Sequence, residues 1–168
     1  MKDALAGRGK PVLYLDFDGV LHPEMVIRTR RHGPVLSGYP GHALFENLEP
    51  LACALDAYPN LSIVLSTTWV QVYRYSHTRA LVGRLAPRVV GATFHTDMDR
   101  VLFGQMSRGC QIEADAGRRQ PSSWLALDDD DEDWPGALRD NLVHTDKRWG
   151  IAHPSVWEQF HCKLALLE

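Results

Sequence analysis

The sequence predicts an α/β fold with a mostly parallel central sheet. Short apolar runs alternate along the chain with segments of helical spacing, an order typical of βαβ units. Polar residues follow several of the predicted strands, at the edge where open α/β sheets bind their ligands. The length of 168 residues and the 45% of hydrophobic residues fit one globular domain with a buried core. We therefore expect a single domain over residues 1–168.

The elements follow from short apolar runs, which predict strands, and from apolar residues three and four positions apart, which predict helices. Pro59 and Pro87 lie close to the ends of two predicted helices, and Pro154 suits the first turn of the last one. In chain order we expect strand 11–17, helix 42–58, strand 61–66, helix 69–85, strand 88–94, helix 107–119, strand 123–127, strand 141–145 and helix 154–167.

Composition excludes several classes of protein. The net charge of −3 argues against a general nucleic-acid-binding surface, although it leaves room for a local basic patch. The three cysteines are far apart and form no C-x-x-C pair, so we expect reduced thiols in a cytoplasmic protein rather than disulfides or a zinc site. Residues 1–10 hold no apolar segment, and no apolar run approaches about 18 residues, so we expect neither a secretory signal nor a membrane span.

The first strand ends in two carboxylates, Asp16 and Asp18, followed at once by Gly19. Side chains alternate along a strand, so the two aspartates would begin on the same side if the strand continued. Like charges so close repel each other, so the placement of two carboxylates here requires a functional explanation. A cation together with a phosphate-bearing substrate supplies one. Ser66 closes the second strand and Asp128 and Asp129 follow the fourth, so we expect these groups to converge on one sheet edge.

These motifs resemble the haloacid dehalogenase (HAD) superfamily of phosphohydrolases. The resemblance rests on D-x-D-G-V after the first strand, Ser66 after the second, and Asp128-Asp129 after the fourth, and it covers about residues 12–145. The segments L-S-T-T-W, W-L-A-L-D-D and T-D-x-x-x-G-I resemble a group of small HAD domains, of the small-cap type, that are associated with nucleic-acid-repair phosphatases. The resemblance implies an HAD-like Rossmannoid three-layer sandwich with a flap but no large cap domain.

The resemblance also implies roles for the site residues. Asp16 would attack phosphorus and form an aspartyl-phosphate, and Asp18 would act as general acid and then general base. Mg²⁺ would be held by the Asp16 carboxylate, the Asp18 backbone carbonyl, Asp129 and waters, with Asp128 as the partner of Asp129. Gly19 would let backbone amides face the phosphate, and Ser66 would donate its hydroxyl to a phosphate oxygen.

The sequence departs from the family at two places. The family uses a basic residue, usually lysine, to stabilise the phosphoryl charge, and no lysine lies between the second and fourth motifs. Arg108 is the best candidate for this work because arginine makes bidentate contacts, and Arg74 is its rival. The acidic run 128–133 also satisfies the family's G-D-x-x-x-D pattern in part, which leaves Asp133 as an alternative ligand and the rest of the run as a solvated loop.

Three features stay open at this point. Segment 22–41 is rich in glycine and proline and carries Arg28, Arg30 and Arg31, which fits either a solvated loop or a flap that attracts an anionic substrate. His22 is close enough to the first motif to line the site or to pack the loop. For Trp69, packing against a helix or in the core is the expected role, and stacking on a substrate is the alternative.

The expected function is a Mg²⁺-dependent phosphatase that acts on a phosphomonoester, with a nucleic-acid end or a nucleotide among the candidates. One alternative is a non-catalytic HAD-like scaffold, which the intact pair of Asp16 and Asp18 disfavours. Another is a receiver-type signalling domain, which would place its acidic pair and its phospho-acceptor on different strands. We expect a phosphorylated partner, no membrane association and no DNA-binding motif.

Overall fold

A computed structural model describes residues 6–167. Its central sheet has five strands, all parallel, and the first strand in the chain lies in the middle. The strands of this sheet are β1 (Pro11–Leu15), β4 (Ser62–Leu65), β5 (Val89–Ala92), β6 (Ser123–Asp128) and β7 (Leu142–His144), in the spatial order β5-β4-β1-β6-β7. The α-helices are α1 (Leu48–Leu55), α2 (Trp69–Tyr73), α3 (Tyr75–Leu81), α4 (Arg100–Gln105), α5 (Arg108–Arg119) and α6 (Pro154–Leu164).

Helices cover both faces of this sheet. Leu13 and Leu15 of β1 join a core cluster with residues of α1 and α6, while Val12 and Tyr14 join a second cluster with Ile112 of α5. The two sets alternate along β1 because successive strand residues point to opposite faces. Both faces of a parallel sheet are normally covered in this way, and most residues of the strands are accordingly buried. The three-layer α/β fold predicted from the sequence is confirmed.

Segment 22–41 contains an antiparallel hairpin. Its strands are β2 (Val26–Thr29) and β3 (Gly33–Leu36), which pair from Val26 opposite Leu36 to Thr29 opposite Gly33. The Arg28 guanidinium lies 5.3 Å from the centre of the Tyr73 ring, so the hairpin contacts α2 through a cation–π pair. A cap-like role for this hairpin stays a prediction.

The first predicted helix, 42–58, is shorter in the structure, because α1 begins only at Leu48. Phe45 has a φ of 59°, in the left-handed region that a right-handed helix cannot include. Residues 44–47 therefore form a turn before α1, although the apolar spacing here resembles that of a helix.

The single helix predicted over 69–85 is also wrong. Arg74, with φ 64° and ψ 156°, separates α2 from α3, and a 3₁₀ helix over Gly83–Arg88 follows. The short helix α4 was not predicted. It begins after Asp99, whose side chain accepts hydrogen bonds from the amides of Val101 and Leu102, a capping signal that the sequence did carry.

Within residues 6–167, no helix is both long enough and apolar enough to cross a membrane. The prediction that residues 1–10 hold no signal segment falls partly on residues 1–5, which lie outside the described part of the chain.

Candidate active site

Three polar side chains meet where the central strands end. Asp16 follows β1, Ser66 follows β4, and Asp128 is the last residue of β6. Leu15 pairs with Leu65 on one side and with Leu127 on the other, so the three residues that come next are neighbours by register. The parallel order of the strands thus brings distant parts of the chain to one edge, as the sequence predicted.

A carboxylate cluster lies at this edge. One carboxylate oxygen each from Asp16, Asp128 and Asp129 lie within 4.8 Å of one another, the one group of this kind found among residues 6–167. Asp16 is 4% exposed and Asp128 fully buried, while Asp129 is half-buried. Buried charges are costly unless they are paired or bind a metal, so this cluster fits a cation site better than a solvated acidic surface.

The electrostatics of the cluster favour the binding of a further positive charge. Burial raises the pKa of Asp16, and the neighbouring Asp18 adds to this, although Arg108 opposes it. Burial and the charge of Asp16 likewise raise the pKa of Asp128 well above its ordinary value. The same two causes raise the pKa of Asp129 to about 7. One arginine therefore does not neutralise the cluster, and a divalent cation would offset the remaining charge.

Arg108 is the cation that the structure places beside these carboxylates. Its Nη2 lies 3.7 Å from Asp16 Oδ2, and its Nε lies 3.1 Å from Asp128 Oδ2. Its Nη1 donates to the Ser66 backbone carbonyl and, at 3.3 Å, to Gln111 Oε1. The neighbouring carboxylates outweigh burial and raise the pKa of Arg108, so the guanidinium is charged. Arg74, the rival candidate, is exposed at the junction of α2 and α3.

Several buried polar atoms of the site have no hydrogen-bond partner among the described residues. They are Ser66 Oγ, Arg108 Nε and Asp128 Oδ2. The last two are close to each other, but their approach lacks the angle of a hydrogen bond. Buried polar groups are nearly always satisfied, and exceptions cluster at functional sites. These atoms therefore mark a candidate ligand-binding position.

The loop after β1 is held by residues far away in the sequence. Gly19 has a φ of 69°, and a Cβ there would overlap the Asp129 carboxylate, so only glycine fits. Thr145 donates its hydroxyl to the Gly19 carbonyl at 2.6 Å, and Asn47 donates to the Val20 carbonyl at 3.1 Å. Sequence reasoning missed both roles. Thr145 begins the T-D-x-x-x-G-I segment and Asn47 lies in no recognised motif, but neither contact with the loop can be read from the sequence.

Asp18 stands apart from the carboxylate cluster. Its side chain is 30% exposed, and its oxygens accept hydrogen bonds from the Trp69 ring nitrogen at 3.0 and 3.1 Å. His22 Nε2 lies 3.0 Å from the same carboxylate. From the sequence we expect Asp18 to bind the metal through its backbone carbonyl. Its carboxylate lies outside the cluster and is therefore available for proton transfer.

The rest of the acidic run contributes no carboxylate to the cluster. Asp131 pairs with Arg139 at 2.7 Å on the surface, and the described polar contact of Asp133 is its backbone carbonyl, which accepts from Ser107 at 3.1 Å. Asp130, Glu132 and Asp133 line a cavity of about 350 Å³ that also reaches Arg108. Of the candidate ligands in the run, Asp128 and Asp129 are the ones in the cluster.

The fold and the site define the class of this protein, an HAD-type phosphohydrolase. The family model described as the HAD domain in Swiss Army Knife RNA repair proteins matches residues 12–156, and the chain belongs to that family. The resemblance to repair-associated HAD domains, stated from the sequence, is thereby confirmed. Comparisons with curated proteins and with solved structures gave no match.

Proposed function

We propose that this protein is a Mg²⁺-dependent phosphomonoesterase that forms an aspartyl-phosphate on Asp16. The observation that carries the proposal is the pairing of two features at one edge. Three carboxylates each have an oxygen within 4.8 Å of the others. Beside them lie the charged Arg108 guanidinium and the buried Ser66 hydroxyl, which lacks a hydrogen-bond partner among residues 6–167. The first feature suits a hard cation, and the second suits a phosphoryl group.

The residues present fit magnesium, because the cluster offers oxygen donors alone and its Asp128 oxygen is unsatisfied within the described chain. Asp16, Asp129 and the Asp18 backbone carbonyl would hold the ion, with Asp128 supporting them. When bound, the ion would neutralise the carboxylates and screen the negative phosphate from the negative nucleophile.

The side chains then divide the chemistry. An Asp16 oxygen attacks phosphorus while the bond from phosphorus to the leaving oxygen breaks, and Asp18 gives that oxygen its proton. Arg108 and the Ser66 hydroxyl bind the phosphoryl oxygens and stabilise their charge. In the second half, Asp18 takes a proton from the attacking water, inorganic phosphate leaves, and Asp16 is regenerated.

The proposed substrate is a phosphorylated nucleic-acid end or nucleotide. The family description supports this, since it refers to RNA repair proteins. The hairpin carries Arg28, Arg30 and Arg31, all exposed, which gives the acidic protein a local basic patch. Phosphate contacts from arginine are independent of base sequence, so we expect little sequence preference. The alternative is a scaffold that binds such ends without hydrolysis.

The test is hydrolysis of p-nitrophenyl phosphate and of 3′- and 5′-phosphorylated oligonucleotides, with Mg²⁺ and with EDTA. Asp16→Asn should fall below about one thousandth of the wild-type rate, because the nucleophile is lost. The exposed Asp97 provides the control Asp97→Asn, which should match the wild type. Hydroxylamine should release phosphate from the trapped wild-type enzyme, since an aspartyl-phosphate is an acyl phosphate.

Two results would contradict the proposal. Equal rates for the wild type and Asp16→Asn would show that Asp16 is not the nucleophile. Binding of phosphorylated oligonucleotides with no hydrolysis of any phosphate in the panel would support the scaffold instead.

A further inference from the structure

We infer that His22 and Trp69 are positioning residues that hold the Asp18 carboxylate in the orientation required for proton transfer to the leaving oxygen. The inference rests on the proposed phosphatase function, in which Asp18 is the general acid. It goes beyond that function because neither side chain belongs to the carboxylate cluster, which consists of Asp16, Asp128 and Asp129.

The His22 ring is held in a single orientation and tautomer. Its side chain is completely buried, and its Nδ1 lies 3.2 Å from the backbone nitrogen of Phe45. An amide N–H can only donate, so Nδ1 must be the acceptor and the ring hydrogen must be on Nε2. Nε2 lies 3.0 Å from Asp18 Oδ1, and His22 therefore donates a hydrogen bond to that oxygen.

Trp69 donates to the same carboxylate from the other side. Its Nε1 lies 3.0 Å from Oδ1 and 3.1 Å from Oδ2, and indole nitrogen has no acceptor capacity. Oδ1 thus receives two donors, while Oδ2 receives one shared donor within the described chain. Oδ2 is the oxygen with acceptor capacity to spare, and we assign it as the atom that carries the transferable proton.

The two donors are themselves fixed by a buried aromatic cluster. The rings of Phe17, His22, Phe45 and Trp69 lie with centres 5.0 to 5.8 Å apart. Phe45, whose amide donates to His22, has a left-handed φ of 59°, a conformation that a residue with a side chain rarely holds. Such backbone strain is typical of sites where geometry is tightly determined by the surroundings.

The contrast in burial explains the arrangement. Asp18 is 30% exposed, so it can reach a substrate, whereas His22 is fully buried and Trp69 is 2% exposed. An exposed carboxylate on its own would rotate, and a misplaced proton donor loses much of its catalytic effect. The buried donors restrict that rotation. As the bond from phosphorus to the leaving oxygen breaks, its electron pair stays on that oxygen, which takes the proton from Oδ2.

The test compares two leaving groups. An alkoxide needs a proton to depart, whereas dinitrophenolate does not, so a positioning role affects alkyl phosphate hydrolysis selectively. The readout is kcat/KM, because it reports steps only up to departure of the leaving group. His22→Asn keeps an acceptor for the Phe45 amide but removes the donor to Asp18, while His22→Gln places an amide donor near the position of Nε2. Trp69→Phe removes the indole donor and retains an aromatic ring.

We expect His22→Asn and Trp69→Phe to lower kcat/KM for glycerol phosphate by about 10- to 100-fold and for dinitrophenyl phosphate by less than about threefold. His22→Gln should recover much of the lost activity. Equal losses on both substrates, no loss, or a Gln variant as impaired as the Asn variant would overturn the inference. If the wild type hydrolyses neither these two substrates nor any phosphorylated oligonucleotide, the proposed function itself is wrong and the positioning role fails with it.

A measurement without variants covers the case in which they fail to fold. Nitrogen-15 NMR of the wild-type protein distinguishes a ring nitrogen that carries hydrogen from one that does not. We expect His22 Nε2 to carry the hydrogen, with Nδ1 bare. Hydrogen on Nδ1 instead would overturn the inference whatever the protein hydrolyses.

Discussion

Helix α5 carries a buried arginine at each end, and the two ends differ in how completely the arginine is bonded. Arg119, its last residue, is fully buried and pairs with Asp115 through Nε at 2.8 Å and Nη2 at 3.0 Å. Its Nη1 donates to the Ala6 carbonyl at 2.7 Å, and the Tyr14 hydroxyl donates to Asp115 at 2.8 Å. This network lies away from the carboxyl edge of the sheet.

The other end of α5 also has an arginine beside buried carboxylates, but fewer of its polar atoms are hydrogen-bonded. Arg108, the first residue of α5, lies beside Asp16 and Asp128, yet its Nε and the Asp128 Oδ2 atom lack hydrogen bonds within residues 6–167. A buried acid–arginine pair is therefore not by itself a sign of function. What distinguishes the Arg108 end is its incomplete hydrogen bonding, which fits the ligand-binding role that we propose for it.

The largest effect on stability is expected at the fully bonded end. Asp115→Ala leaves Arg119 buried without its carboxylate, and breaking such a pair costs about 3–5 kcal/mol of unfolding free energy. The folded fraction of Asp115→Ala should keep the wild-type kcat, since the hydrogen-bond network around Arg119 does not contact the site. Urea unfolding and phosphatase kinetics measure the two quantities. The exposed Glu113 on the same helix gives the control Glu113→Ala, and a similar loss there would contradict the comparison.

The opposite outcome is expected at the incompletely bonded end. Arg108→Lys keeps the charge but loses the planar fork that contacts Asp16 and Asp128 and that we propose binds the phosphoryl group. We expect kcat to fall by about 10²- to 10³-fold, the usual cost of losing an electrostatic stabiliser of the transition state. Exposed Arg100→Lys is the control, measured in the same phosphatase assay. Full activity of Arg108→Lys would show that another group performs this work.

The sequence predicted which residues meet at the sheet edge better than it predicted the local backbone. Alternating apolar segments fixed the layers, and residues such as Asp16, Ser66 and Asp128 converge because parallel strands end together. The break at Arg74 and the turn at Phe45 were missed, since a positive φ in a residue with a side chain leaves no local signal. The roles of Asn47 and Thr145 were missed because they depend on contacts between distant segments.

The pH dependence of stability tests the unneutralised charge of the cluster. Burial first, and then Asp16, raises the pKa of Asp129 to about 7, so the folded protein binds a proton more tightly there than the unfolded chain does. This contribution to stability is present below about pH 4 and is lost as pH rises toward 7. Since Mg²⁺ requires deprotonated carboxylates, the stabilisation by Mg²⁺ should grow over the same range.

Thermal unfolding in EDTA and in Mg²⁺ at pH 5 and pH 8 measures both trends. Asp129→Asn should reduce the pH dependence of stability measured in EDTA. It should also remove most of the stabilisation by Mg²⁺. Equal stabilisation by Mg²⁺ at the two pH values would argue against a metal site formed by these carboxylates.

The smallest effect is expected from Ser66→Ala, and its direction is the sharpest check of the comparison. The Ser66 hydroxyl is buried without a partner within the described chain, so its removal should leave unfolding free energy unchanged or raise it by about 1 kcal/mol. The hydroxyl of buried Thr78 donates to the Arg74 carbonyl at 2.8 Å, so Thr78→Val should instead lower it by about 1 kcal/mol. Activity should change the other way, with kcat/KM falling about tenfold in Ser66→Ala and holding in Thr78→Val. A destabilised Ser66→Ala protein with normal kinetics would make Ser66 a structural residue, because a group held for the substrate adds to catalysis and not to the fold.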